Sequence, residues 1–360
     1  AAISLRDGGV DRSASAVQLE EGGSPAATDV RFIGGGVASD YDTSLFGDAY
    51  AGAEPKEVIH IAPFEKEDST EFLMRCRPTG WDRWNGADWT TLSGALTSAF
   101  ADRVYSTVQS DRFIVANGVD RLKSWDGDDA HAIQDLSADA PIANYITRIG
   151  TRLLAARIRI AGVIHPNLLA WSADDLITNW TDPILGAGSA EPIPEGSSKK
   201  SNFITGLSTV ARGAVIYRQA ALQLGLLTGS GASPFRFTTV DFSHGTESPY
   251  SIASGGMEIG DFFMGSDYMP YIFNGESAPV PIGVPIHDEL LRTVPQLGQV
   301  VGAIDTNQQE YWLGFPSDDG SIRSNCWGFN IREWSTRHRL VWRKRTLPAN
   351  TMSFGFGNVL

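Results

Sequence analysis

Residues 111–127 read Asp111-Arg112-Phe113-Ile114-Val115-Ala116-Asn117-Gly118-Val119-Asp120, then Arg121-Leu122-Lys123, and end in Ser124-Trp125-Asp126-Gly127. The run from Arg112 to Ala116 is apolar, β-branched and aromatic, and it is too short for an ordinary helix, so it reads as a strand. Asn117-Gly118 and Asp126-Gly127 each follow an apolar stretch. Such pairs favour tight hairpins because a type I′ turn needs positive φ at both central residues. Strand, turn, strand ending on tryptophan, turn: this is the middle of an antiparallel sheet.

The same device, a strand-ending aromatic or apolar residue before a turn, returns along the chain. It is found at Trp84-Asn85-Gly86, Trp171-Ser172-Ala173, the run 222–227 with Gly225, Phe273-Asn274-Gly275 and Trp327-Gly328-Phe329-Asn330. Taking Trp84, Trp125, Trp171, Leu224, Phe273 and Trp327 as anchors, the intervals are 41, 46, 53, 49 and 54 residues. Their mean, roughly 49, suits one four-stranded propeller blade. Each anchor is preceded by an apolar run, at 72–75, 112–116, 153–156, 214–217, 261–264 and 310–315. A third run lies upstream of each, at 58–62, 104–108, 145–149, 203–207, 250–253 and 300–304. Outer strands are read at 89–92, 131–136, 235–240 and 339–342. The fold class expected is all-β, a β-propeller of about six blades.

Composition agrees with a folded chain. Hydrophobic residues make up 42% and charged residues 20% of the 360, which supplies a core and argues against wholesale disorder. Ten tryptophans point to rings packed between sheets or at interfaces. Helical periodicity is nearly absent, with short helical turns expected at 92–101 and 288–292. The net charge of −13 argues against a dedicated phosphate-binding surface, and the best basic patch, Arg343-Lys344-Arg345, reads as a solvated strand end. Cys76 and Cys326 are too few for a disulfide framework or a cysteine zinc site. No stretch is long and apolar enough for a membrane span, and the start lacks a secretory pattern, so a soluble, unexported chain is expected.

Three segments divide the chain. Residues 1–50 are rich in Gly, Ser, Ala and Asp, with one strand at 29–33 that is expected to complete the last blade by pairing near 334–347. Residues 51–347 form the propeller and 348–360 a C-terminal tail. The glycine- and proline-rich stretch 185–200 reads as an exposed, insertion-like loop.

Several segments resemble phage virion proteins that carry a propeller, among them the tail nozzle (tail tubular protein B-like) proteins of short-tailed bacteriophages. One is Ser24-Pro25-Ala26-Ala27-Thr28-Asp29-Val30-Arg31-Phe32, with Gly34-Gly35-Gly36-Val37 and Phe46-Gly47 after it. The most specific is 111–120 with Ser124-Trp125-Asp126-Gly127. A third is Arg152-Leu153-Leu154-Ala155-Ala156, then His165-Pro166-Asn167-Leu168-Leu169-Ala170-Trp171-Ser172 and Asn179-Trp180. Here the chain departs from the family, because Asp182-Pro183 follows Trp180 where the family has Asp-Pro before its second tryptophan. The resemblance covers about half the chain, mostly before residue 180, and identifies blades rather than catalytic residues.

Motifs for chemistry are incomplete. Ser317-Asp318-Asp319-Gly320-Ser321-Ile322-Arg323 approaches a sialidase Asp box, but the spacing of Gly320 and Trp327 is wrong. The histidines His60, His131, His165, His244, His287 and His338 are far apart and form no two-histidine metal spacing. Gly34-Gly35-Gly36 and the glycines from 225 to 231 lack a following helix and a phosphate-loop ending. Asp126, Asp128 and Asp129 are a carboxylate cluster without the full calcium-loop pattern.

No catalytic residue, metal or cofactor is therefore expected. What the resemblance implies is a non-enzymatic structural protein located in the virion tail, at a nozzle or tail tip around the DNA exit channel. Its expected partners are further copies of itself in a ring, and adaptor and fibre proteins, with no specific nucleic-acid binding. The alternative is a glycan-binding or glycan-cleaving propeller, which needs converging aromatics and paired carboxylates. A WD-type scaffold is disfavoured, since Trp81-Asp82 and Trp125-Asp126 are the only Trp-Asp pairs and neither has Gly-His upstream.

Overall fold

The computed structural model describes residues 30–33, 36–39 and 58–347, apart from 78–79, 85, 87, 95, 98–103, 196–201, 232, 257–258 and 317–323. Six four-stranded antiparallel sheets, each made of consecutive strands, form a six-bladed β-propeller. A hairpin of β1 (Val30–Ile33) and β2 (Gly36–Ser39) precedes them. Blade I holds β3 (His60–Glu65), β4 (Glu71–Arg77), β5 (Gly80–Trp84) and β6 (Trp89–Thr91). Blade II holds β7 (Tyr105–Gln109), β8 (Arg112–Ala116), β9 (Lys123–Trp125) and β10 (Gln134–Asp135). Blade III holds β11 (Ile142–Ile149), β12 (Arg152–Ile160), β13 (Val163–Trp171) and β14 (Gly188–Ala190). Blade IV holds β15 (Ile204–Val210), β16 (Gly213–Arg218), β17 (Leu222–Leu227) and β18 (Phe235–Asp241). Blade V holds β19 (Ala253–Ser254), β20 (Asp261–Met264), β21 (Pro270–Phe273) and β22 (Val280–Pro281). Blade VI holds β23 (Val301–Asp305), β24 (Glu310–Pro316), β25 (Ser324–Asn330) and β26 (Trp342–Leu347).

Alternation along the strands explains the stacking, because successive side chains point to opposite faces of a sheet and each blade face must be covered by its neighbour. Phe64, Met74, Cys76 and Trp81 of blade I meet Phe113, Val115 and Trp125 of blade II in one buried cluster. Comparable clusters join II to III around Ile146 and Trp180, III to IV around Trp171 and Ile216, and IV to V around Tyr217 and Phe263. The fifth joins V to VI and also takes in Ile286, Leu290 of α1 (His287–Thr293) and Ile331 of α2 (Ile331–Arg337). Backbones approach closely at this last interface. A Cβ at Gly302 would overlap the Ser251 carbonyl, so glycine is what lets β23 lie against the start of blade V.

All six anchors lie on the third strands of successive blades. Trp125, Trp171, Leu224, Phe273 and Trp327 are buried, whereas Trp84 is half-buried and tilts against Trp89 at 5.5 Å. The fully buried tryptophan of blade I is instead Trp81, three residues earlier. Trp125 and Trp171 face different ways, the former toward blade I and the latter toward blade IV, because their strands differ in register.

Several sequence expectations need correction. The N-terminal strand does not complete the last blade: β1 lies beside β26 but pairs only with β2 among the described residues, and blade VI carries its own fourth strand. Position 334, expected near strand, lies in α2, where the Asn330 side chain accepts from the Glu333 amide and caps the helix. The stretch 185–200 is not wholly a loop, since Gly188–Ala190 forms β14 against β13. Among the described residues of 92–101 no helix forms, whereas the turn expected at 288–292 is α1. The Asp-box-like stretch 317–323, the C-terminal tail 348–360 and most of the segment 1–50 lie outside the described residues.

Candidate functional site

The innermost strands of a propeller converge on its axis, and here they enclose a cavity of about 270 Å3. Every blade contributes to its wall, through His60, Tyr105, Thr147, Ser208, Tyr250 and Val301 among others. Tyr105 is the central side chain. It meets Tyr145 edge-on at 5.0 Å and Tyr250 at 5.4 Å, and its hydroxyl donates to the Pro249 carbonyl across the ring. Burial pushes its pKa well above the ordinary tyrosine value, so it stays a neutral donor. Aromatic packing thus forms part of the cavity wall.

The cavity's polar groups are hydroxyls and one imidazole. His60 Nε2 and Ser106 Oγ stand 2.8 Å apart, joining blades I and II. Asp261, at the start of β20, is fully buried just behind Ser208 and Ser254 and accepts from the Tyr217 hydroxyl at 2.8 Å. Desolvation pushes its pKa up to about 7, outweighing the Tyr217, Ser208 and Ser254 hydroxyls that favour the charge. Among the described residues no Asp or Glu lines the cavity itself. The paired carboxylates that glycoside cleavage needs are thus not presented there.

Charged side chains elsewhere hold the blades together. Asp82 accepts from Arg75 Nε (2.7 Å), Arg77 Nε and Nη2 (both 2.8 Å) and Thr91 Oγ1 (2.8 Å), all within blade I. Burial alone would raise its pKa, but the Arg77, Arg75 and Thr91 bonds hold the carboxyl below the usual range. Arg218 is completely buried and donates to Gln223 and Asn167 (2.7 Å each) and to the Asn202 and Pro192 carbonyls. Desolvation lowers its pKa to about 10.

The basic run 343–345 is not a solvated strand end. Arg343 is buried, bonds Glu310 at 2.6 Å and lies over the Trp312 ring at 4.4 Å, while Lys344 points the other way to Glu289 at 2.7 Å. Strand alternation divides the run between two faces of blade VI, which no linear reading of charge could show.

The anchors are not brought to a common site, since each occupies its own blade. The histidines also stay apart: His131 pairs with Asp126 at 2.7 Å, His244 with Asp241 at 3.1 Å, and His287 Nε2 lies 3.0 Å from the Asp267 carbonyl. His165 is on β13 and His338 follows α2. The carboxylates after Trp125 diverge, with Asp126 turned to His131, Asp128 accepting the Ala130 amide and Asp129 paired with Arg83 of blade I. Among the described residues no three His, Cys, Asp or Glu side chains are grouped to hold a metal ion, and no helix is long and apolar enough to cross a membrane.

No protein-family model and no characterised protein matches the sequence. In three dimensions the chain is similar to the extracellular domain of BT4673 from B. thetaiotaomicron, at 14% identity and a TM-score of 0.44, over 74% of this chain and 33% of that one. It is also similar to YCF48 from Cyanidioschyzon merolae, at 8% identity and a TM-score of 0.40, over 69% of this chain and 77% of that one. PorZ, a bacterial surface component of the type-IX secretion system of Porphyromonas gingivalis, shares 10% identity at a TM-score of 0.36, over 77% of this chain and 37% of PorZ. The chain spans about a third of the length of the BT4673 domain.

Proposed function

We propose that this chain is a non-enzymatic structural protein of a tailed-phage virion, a nozzle or tail-tip subunit repeated around the DNA exit path and in contact with adaptor and fibre proteins. The observation that carries the reading is the stretch 111–127, whose likeness to tail nozzle propellers falls on β8 and β9 and on the loops after them. One further feature supports it: the net charge of −13 disfavours adhesion to phosphates on a DNA path between copies.

Immunogold labelling of tailed particles from the source organism, with an antibody to the purified chain, tests the reading. Gold at the tail tip is expected. Label confined to the host cell surface, or purified particles without the chain by mass spectrometry, would refute it.

The axial cavity favours a second reading, a glycan-binding propeller, because Tyr105 and Tyr250 beside Ser106, Thr147 and Ser208 combine ring faces with hydroxyls. Glycan-array binding abolished by Tyr250→Ala would move the assignment to this reading.

A further inference from the structure

The axial cavity is small, mixed in character and backed by a buried acid. Its volume of about 270 Å3 lies just under the roughly 300–1,000 Å3 typical of small-molecule pockets, so it has room for one sugar ring and none for a chain of them. His60 and Tyr250 in its wall are half-buried, so the cavity is reached from solvent. The wall offers ring faces at Tyr105 and Tyr250 and hydroxyls at Thr147, Ser208 and Ser254, and among the described residues it holds no Lys or Arg to repel a cation.

Behind one side of this wall is a carboxyl with an unused oxygen. Asp261 is fully buried, and its Oδ2 accepts from the Tyr217 hydroxyl at 2.8 Å, whereas its Oδ1 has no hydrogen-bond partner among the described residues. Ser254 of β19 is its cross-strand partner, and Ser208 belongs to β15. Both hydroxyls are near enough to favour charge on the carboxyl without closing a bond to Oδ1, and both also line the cavity. Ser254 Oγ accepts the Gly256 amide at 3.3 Å, which leaves its proton for Asp261. A hydroxyl that turns its proton to a carboxylate has only lone pairs left for its other side. Ser208 and Ser254 therefore present acceptors to the cavity, and their complement is a donor group that carries positive charge. In a low-dielectric interior the buried carboxylate attracts such a charge across one side chain with little screening. That charge is available near neutrality, since the pKa of Asp261 is about 7 and the Tyr217 hydroxyl bonded to it stays protonated, burial holding its pKa well above the ordinary value.

We infer that the axial cavity takes a single amino sugar with a free ammonium group, its ring against Tyr105 and Tyr250 and its ammonium against Ser208 and Ser254, with Asp261 behind them selecting the charge. A neutral sugar would meet the same rings and hydroxyls, so discrimination lies in the ammonium alone. Asp261 acts through the two serines and is a positioning residue. The inference deepens the glycan-binding reading of this cavity and rests on it.

Titration calorimetry with glucosamine and with glucose at pH 7 tests it. The wild type is expected to bind glucosamine roughly tenfold more tightly than glucose, as one added charge-assisted hydrogen bond allows. Tyr250→Ala should lose both sugars. In Asp261→Asn, which can still accept from Tyr217 and whose folding is checked by its melting temperature, the two sugars should bind alike. Equal affinity of the wild type for both sugars would overturn the inference and leave the glycan reading standing, whereas binding of neither would overturn both. A preference for glucosamine that survives in Asp261→Asn would overturn it too, because the selection would then lie elsewhere.

Discussion

The interface between blades V and VI and the facing sides of blades VI and I differ in the chemistry of their buried residues. Between V and VI, one parity of each strand is apolar, with Phe262 and Ile272 opposite Tyr311, Leu313, Trp327 and Phe329, and α1 and α2 extend the cluster outward. The other parity of blade VI carries Glu310, Trp312, Cys326 and Arg343. The face of blade I turned away from blade II carries Leu73, Arg75, Arg77, Asp82 and Trp89. Among the described residues no apolar cluster joins these two faces, and each is held by its own charge network, Asp82 with its arginines and Arg343 with Glu310. Five interfaces therefore depend on apolar burial, whereas the facing sides of blades I and VI each carry ion pairs of their own stacked on tryptophan, with Arg75 over Trp89 at 4.1 Å and Arg343 over Trp312.

Substitutions should separate these modes. Trp327→Ala removes one of the two fully buried indole rings of the V–VI cluster and should cost about 3–5 kcal/mol, read as a loss of midpoint in chemical unfolding. An unchanged midpoint would mean that the ring is not cored. Asp82→Ala leaves Arg75 and Arg77 buried without their carboxylate and should cost about 3 kcal/mol. Because its folded pKa is held below the ordinary value of 3.8, Asp82 contributes fully above that pH and loses its contribution as the pH falls through the folded value. The gap between variant and wild type should accordingly narrow in acid, and a gap independent of pH would place the effect in packing alone.

Asp261 predicts the opposite slope. Its folded pKa of about 7 exceeds the ordinary value of 3.8, so the folded state retains a proton that the unfolded state gives up, and stability declines as the pH rises between those values. Asp261→Asn should raise the melting temperature at pH 8, where the burden of a buried charge is largest, and leave it nearly unchanged at pH 4. Equal effects at both pH values would contradict the buried-carboxyl account. Ile160→Ser, at the exposed turn between β12 and β13, should change stability by less than about 0.5 kcal/mol, as surface substitutions do.

What the sequence made legible follows from these differences. Many second and third strands were readable because they are largely buried on both faces and rich in apolar residues, and the runs read at 112–116 and 261–264 coincide with β8 and β20. Outer strands such as β14 (Gly-Ser-Ala) and β22 (Val-Pro) are two or three residues long and carry no alternation to read. α2 has a signal in Asn330 and Glu333, an N-cap side chain three residues before an acid, which competes with the strand pattern of the flanking aromatics. The axial cavity had none, because Tyr105, Tyr145 and Tyr250 meet only through ring closure. The pairing of Arg343 with Glu310 likewise depends on strand register rather than on local charge.

The central claim is that this propeller is a repeated building block of a phage tail. A cryo-electron microscopy map of tail tips from particles containing the chain tests that most directly. The account predicts symmetry-related copies of a six-bladed ring around the exit channel, with DNA passing between them. A map whose tail-tip density accommodates no six-bladed ring would contradict it.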